Sequence, residues 1–467
     1  MNTEPTTGAL PPAERESFFD AQRRHRRTAM LWSVAAAAVA AAIAFAIALL
    51  LAPLLWSVVG LVADLLHLAM PMPDVLGAVG ARITTLIDGK LTDPAALATL
   101  ALVAALPGFA VLGLLFLRLR RLAGATRHEA VRDAVGARAP RRDDLEEIQF
   151  ANLVEEMAIA ARVPPPRVAL IDHDACNVGI LGDGEHAAVI ATRGVLDRLA
   201  RDPTQALIGQ AIAALGNGDG ALAERMLRTI ETIRLMMLLS QAAISASARR
   251  ALVPLLRRRP DDAAAATLKR LLGDPWQMQL DDDPQRKPDW RDYVIMPLAG
   301  SLIVGVIVVP IATIVLLAPL LGVLWRRRRL LADATAVQFT RNPEALAQAY
   351  AALANVATQL PLAAPWLVNL FVLDPMAPGL RIASPYPRLD RRVERLRAMG
   401  ATVAVPMLAE RGKTLILWLL TPLWLLLLAL LAAAVTLGCW VSLALNMLFL
   451  GLPVGALHLL LRWAAGS

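Results

Sequence analysis

The chain has 467 residues, of which 57% are hydrophobic, 18% charged and 5% aromatic. A mean hydropathy of +0.53, and apolar runs longer than the ~20 residues that cross a bilayer, exclude an ordinary soluble domain and point to a multi-pass membrane protein. The net charge of +8 does not mark a nucleic-acid surface, because the arginines cluster at the ends of apolar runs, where they set membrane topology.

Residues 1–27 are read as a cytoplasmic N-terminal segment closed by Arg23, Arg24, Arg26 and Arg27. Residues 28–117 hold two transmembrane helices with a short external loop. The first apolar run, Ala29–Leu55, is too long for a cleaved signal peptide and has no small-residue cleavage site. The second, Pro94–Leu117, is followed by Arg118, Arg120 and Arg121, which returns the chain to the cytoplasm.

Residues 118–222 are the first part of a soluble α+β domain. Asp143–Arg162 is an amphipathic helix with acidic residues near its start, as the helix dipole favours. β-like runs follow at Arg167–Ile171, Asn177–Leu181 and Ala187–Thr192, separated by turn-forming Asp, Gly and His. Helices return at Gly194–Ala200 and Thr204–Leu215, with Pro203 suited to a first turn. Residues 223–292 combine a weakly apolar helix with a charged loop. Within them Thr229–Ser247 carries Glu231 and Arg234 and admits three readings: a weak span, a re-entrant segment or an interfacial helix. Residues 293–325 form a transmembrane helix, residues 326–412 a second, mostly helical part of the soluble domain, and residues 413–463 a C-terminal transmembrane hairpin. The Arg326–Arg329 run reads as the cytoplasmic flank of the span before it, with anionic lipid head groups as a second option.

Pro203–Asp219 (PTQALIGQAIAALGNGD) has the frame of a metallopeptidase helix, in which H-E-x-x-H places two His on one face to hold Zn²⁺ and a Glu as general base. Other segments share such frames: Asn152–Asp172 with Asn177 after it, Glu185-His-Ala-Ala-Val, Thr192-Arg-Gly-Val-Leu, Ala332-Asp333, Asn342-Pro-Glu-Ala-Leu-Ala, Leu370-Phe-Val-Leu-Asp-Pro and Ser384–Met399. In this order, interleaved with spans, they resemble the HtpX-like integral membrane zinc metallopeptidases, relatives of the CAAX prenyl proteases. The resemblance covers roughly residues 142–222 and 292–400 and the two N-terminal spans. It implies a polytopic α-helical membrane protein with a cytoplasmic gluzincin-like α+β domain, in a bacterial inner membrane.

Carried over position by position, the resemblance places the two His ligands on Gln210 and Ala214 and the general base on Ala211. The third ligand, a Glu four residues before the Asp of E-x-x-A-D, falls on Arg329, with Asp333 as that Asp. The His of a T-H-P-P segment falls on Tyr386. Catalytic zinc needs about three protein ligands and an open position, so no cofactor is expected, and zinc returns only if the family chemistry survives. Asn177, Asn217, Asp219 and Asp333 remain as scaffold. The implied function is a catalytically inactive homologue that binds or regulates membrane proteins through the retained cleft. The expected partners are the bilayer and either membrane-protein clients or an active peptidase.

The competing reading is an active metalloendopeptidase of membrane-protein quality control, with His173, His186, Asp219 and Asp333 as its candidate ligands. A transporter is disfavoured, because intramembrane charges of the kind that mark ion pathways are few. Gln210 is expected to be a satisfied polar residue of a collapsed site. Cys176 reads as a small buried residue with no His spaced to activate it; Cys439 lies inside an apolar run, so no disulfide is implied. Glu155 and Glu156 read as a solvated helix face.

Overall fold

The computed structural model describes residues 15–69, 94–124, 135–227, 317–375 and 384–404, a few single positions aside. Thr229–Ser247 past its first residue, the loop 248–292, the apolar run before Leu317 and the C-terminal hairpin, isolated positions excepted, lie outside the described residues.

Helix α1 (Phe18–Ala69) extends the first apolar run at both ends. Helix α2 is Pro94–Gly124. The two pack at close range: a Cβ on Gly108 would lie 2.6 Å from the carbonyl oxygen of Ala48, and Trp56 Nε1 donates to Ala104 O at 3.1 Å. Small residues permit this backbone approach, as they do between helices in lipid. Large apolar side chains such as Met30, Leu31, Leu106 and Leu114 stay exposed. Among the described residues one helical stretch, Phe18–Phe45, is long and apolar enough to cross a membrane; α2 holds a shorter apolar stretch, Ala98–Val111.

The α+β domain opens with strand β1 (Ala137–Arg138), helix α3 (Leu145–Ala161), β2 (Arg167–Ile171), β3 (Val178–Leu181) and β4 (Ala188–Thr192). Helix α3 begins where Asp144 Oδ1 accepts from the amides of Glu146 and Glu147 at 3.0 and 3.2 Å. Such an N-cap supplies acceptors that the first turn lacks. It ends at Arg162 in the left-handed region, φ 56°. Phe150, Leu153, Val154, Met157 and Ala158 are its buried stripe. The sheet order is β1-β2-β4-β3, with β2 and β4 parallel and the outer pairs antiparallel. The three longer strands match the sequence reading to within a residue. The two-residue β1 was not anticipated; it is held by Arg138, which binds both Glu147 oxygens (2.9 and 2.7 Å) and Asp172 (2.7 and 2.5 Å).

Helices α4 (Arg193–Arg198) and α5 (Arg201–Gly216) follow. Gly194 is obligatory: a Cβ there would stand 2.2 Å from Asp174 O. Helix α5 is buried from Ala206 through Ala214, apolar around its circumference as a core helix must be. Helix α6 (Ala318–Thr340) lies antiparallel to it: Gly209 adjoins Phe339 and Thr340, Asn217 bonds Thr335, and Asp219 pairs with Arg328. Helix α7 (Pro343–Leu353) is capped by Asn342, and α8 (Leu389–Ala398) completes the core. The domain also grips the start of α1, through Gln22 Nε2 to Gln338 Oε1 at 2.7 Å and Glu16 N to Ala398 O at 2.8 Å.

The carboxylate of Glu147 is fully buried and also accepts from Arg141 N at 2.6 Å. The hydrogen bond from Arg138 holds its pKa below the usual carboxylate value. Removing Glu147 leaves Arg138 its pairing with Asp172 but takes two hydrogen bonds from it and the acceptor from Arg141 N. Glu147→Ala should therefore cost about 1–3 kcal/mol, read as a lower melting temperature in detergent, whereas Glu155→Ala, on the exposed face of the same helix, should change it little.

Candidate functional site

The site is built where α5 meets α6 and where two segments cross them: 365–375, which opens with a 3₁₀ helix at Pro365–Leu370, and 384–388. Gln210, Ala211 and Ala214 sit on α5, 1%, 0% and 7% exposed. Ala211 and Ala214 pack in one apolar cluster with Ala332 and Ala336 of α6. Gln210 does not meet the expectation of a satisfied polar residue. Its Oε1 is buried with no hydrogen-bond partner.

Arg329 is 5% exposed on α6. Its Nη2 donates to Phe371 O at 2.8 Å and reaches Asn369 O at 3.5 Å, and its Nη1 donates to Pro385 O at 3.2 Å. The guanidinium lies over the Tyr386 ring at 3.9 Å and the Trp325 ring at 5.5 Å, a cation–π arrangement strongest where water is excluded. Its Nε is buried without a partner. The Tyr386 hydroxyl bonds to Val368 O and reaches Phe371 O at 3.2 Å. Burial raises the pKa of this phenol, so it stays protonated.

The four scaffold residues each have a defined task. Asp333, 2% exposed, receives Arg392 Nε at 2.9 Å and Nη2 at 2.6 Å, and Tyr350 OH at 2.8 Å. Arg392 also donates to Tyr350 OH and, at 3.0 Å, to Val372 O. Asn177 brackets Leu373, accepting from its amide at 3.2 Å and donating to its carbonyl at 3.0 Å, and donates to Thr358 O at 3.1 Å. Asn217 Nδ2 donates to Thr335 Oγ1 at 3.2 Å. Asp219 is ion-paired with Arg328, which also donates to Asn217 O.

The Arg326–Arg329 run is thus more than a solvated flank. Arg326 donates to Ser384 O, Arg328 and Arg329 are built into the domain, and a boundary drawn at 325/326 falls inside one continuous helix. The other candidates lie apart from this centre. His173 Nδ1 accepts from Ala175 N at 3.0 Å, and His186 is exposed on a single 3₁₀ turn. Cys176 is fully buried and donates to Gly194 O, with burial pushing its thiol pKa up. Glu155 and Glu156 are solvated. Glu231 and Arg234 lie outside the described residues. Among the described residues no group of three or more His, Cys, Asp or Glu side chains is placed to hold a metal ion. Sequence reasoning missed the backbone carbonyls of 368–371 and the partners Tyr350 and Arg392. Arg392, inside the quoted Ser384–Met399 segment and spaced on α8 with the apolar Val393 and Leu396, was the available signal.

Curated relatives match rather more than half of the chain. A protease HtpX homolog of Limosilactobacillus reuteri is 30% identical over 258 residues, 53% of this chain and 72% of the relative. One from Dictyoglomus turgidum is 25% identical over 276 residues (58% and 76%), and one from Streptococcus gordonii 28% over 274 residues (58% and 79%). No family model matches the chain, and no solved structure does.

Arg392→Leu should cost about 3–5 kcal/mol, the range for breaking a buried pair and stranding its carboxylate, seen as a large fall in melting temperature in detergent. Asp219 supplies a pH test. Burial outweighs the pull of Arg328 and lifts its pKa from 3.8 to about 6. Between those values the folded state keeps a proton that the unfolded state has released, so this group's contribution is complete below pH 4 and is lost as the pH rises through about 6. The melting temperature of the wild type relative to Asp219→Asn should therefore decline across that window and level off above it.

Proposed function

The chain belongs to the HtpX protease family, and we propose that within it this protein is a catalytically inactive member that binds or regulates membrane proteins through the cleft its scaffold retains. The observation that carries the reading is Arg329. A third zinc ligand would be a carboxylate, and at its position stands a permanent cation bonded to three backbone carbonyls and stacked between two aromatic rings. Gln210, Ala211 and Ala214 offer no imidazole and no general base. This donor set does not fit Zn²⁺, which takes Cys, His or carboxylate ligands, and no catalytic step is routed through it.

Three of the four substitutes named from the sequence are committed to other partners. Asp333 is saturated by Arg392 and Tyr350, and Asp219 by Arg328. His173 serves its own turn. A binding role fits this pattern: the scaffold that would align a peptide is kept, while each position that would activate water carries another residue. The N-terminal apolar helix and the exposed apolar side chains of α1 and α2 support a multi-pass protein whose soluble domain faces the cytoplasm, in keeping with the Arg-rich flanks.

The test is the zinc content of the full chain in detergent after chelator washing and resupply, with casein proteolysis measured on the same sample. The expected result is a zinc stoichiometry near zero and no proteolysis. One tightly held zinc per chain, with proteolysis that Gln210→Ala abolishes, would overturn the reading in favour of an active metalloendopeptidase.

A further inference from the structure

The sheet order makes β3 an edge strand. An edge presents unpaired amides and carbonyls, so it is where an extended peptide adds by strand pairing. The outer edge of β3 is already taken by the chain itself. Phe371 bridges Gly179 in antiparallel register, Val372 N donates to Val178 O at 2.7 Å, and the Asn177 amide grips Leu373 through both its amide and its carbonyl.

Two of the replaced positions serve this same segment. All the hydrogen bonds of the Arg329 and Tyr386 side chains described above go to the carbonyls of Val368, Asn369, Phe371 and Pro385. Gly179 is shaped to the occupant as well: a Cβ there would lie 3.0 Å from Leu370 O and 3.0 Å from Phe371 Cδ1. The aromatic ring lies in the space that the missing side chain leaves.

We infer that residues 370–373 occupy the peptide-strand position on β3 as an internal stand-in, that Arg329 and Tyr386 are the latch holding it, and that the edge reads an extended, uncharged, apolar segment with an aromatic residue opposite Gly179. The inference rests on the binding reading proposed above and names the class of client: an apolar stretch of a membrane protein in extended form. The occupant, Leu370-Phe-Val-Leu373, is itself apolar, 2–5% exposed, and meets β3 at the single Phe371–Gly179 bridge after the 3₁₀ helix that ends at Leu370. The polar contacts that hold the occupant all go to its main chain, from β3, from the amide of Asn177, from the guanidinium groups of Arg329 and Arg392 and from the hydroxyl of Tyr386, so side-chain selection on this edge rests on apolar packing.

The test uses the full chain in detergent and the acetylated, amidated hexapeptide of residues 369–374 carrying a photo-crosslinker. Arg329→Ala with Tyr386→Phe opens the latch, and Phe371→Ala vacates the place opposite Gly179. Both variants should bind the peptide at least tenfold more tightly than the wild type and cross-link within 177–181, and a peptide with Asp in place of Phe should bind neither. Amide exchange at 371–373 should rise at least tenfold in the latch variant while the β2–β4 ladder stays protected. Exchange that rises equally across the sheet and α5 would overturn the latch, as would equal peptide binding by wild type and variants. Folded variants that bind no peptide would overturn the peptide-edge assignment. Zinc content and proteolysis, read on the same preparations, test the inactive-homologue reading separately, so either inference can fail without the other.

Discussion

The arrangement depends on one buried ion pair. Asp333 and Arg392 are each almost wholly enclosed, and burying either charge alone would cost several kcal/mol. Together with Tyr350 they satisfy one another, and the fourth direction of the guanidinium is spent on Val372 O. The consequence is geometric. Asp333 belongs to α6, Tyr350 to α7, Arg392 to α8 and Val372 to the segment on the sheet edge, so one network ties three helices and that segment together. Burial raises the pKa of the Tyr350 phenol, so it remains a donor to the carboxylate and an acceptor from the guanidinium.

On this frame Arg329 and Tyr386 act on the main chain of the segments that cross α6. A guanidinium differs from a metal ion in what it attracts: it has donors only, so it seeks acceptors. Arg329 finds them in main-chain carbonyls, with aromatic faces for the rest of its charge. Tyr386 adds a phenol aimed at the same carbonyls. The protein's own backbone is thereby drawn toward these two side chains. The buried Gln210 Oε1 and Arg329 Nε, both without partners, are left as a polar mismatch.

Much of the fold was legible in the sequence because its signals are local. Asp144 caps α3, the apolar stripe from Phe150 to Met157 has helical spacing, and the β-branched runs of β2 and β4 are bounded by turn residues. The family motifs marked Gln210, Ala211, Ala214, Arg329 and Tyr386 before any coordinates. What was hidden is non-local. Strand β1 exists because Arg138 finds Glu147 and Asp172, and nothing in two residues announces that. Helix α6 runs on through four arginines because Arg and Leu are good helix formers and because acceptors for Arg328 and Arg329 wait on distant parts of the chain; in sequence, the same run imitates the end of a membrane span. Main-chain carbonyls, the partners of Arg329, carry no residue identity and leave no trace in a motif.

The grip of the domain on the first turns of α1 sets a distance. Phe18–Phe45 comprises 28 residues, about 42 Å of helix at 1.5 Å per residue, against a hydrocarbon thickness of about 30 Å. The part of that stretch before the apolar run, Phe18–Thr28, is about 16 Å of helix and holds Gln22, bonded to α6, and Arg24, paired with Glu16. The soluble domain is therefore not a float on a tether. With Ala29 as the start of a span, the domain would stand off the bilayer by no more than that length of helix.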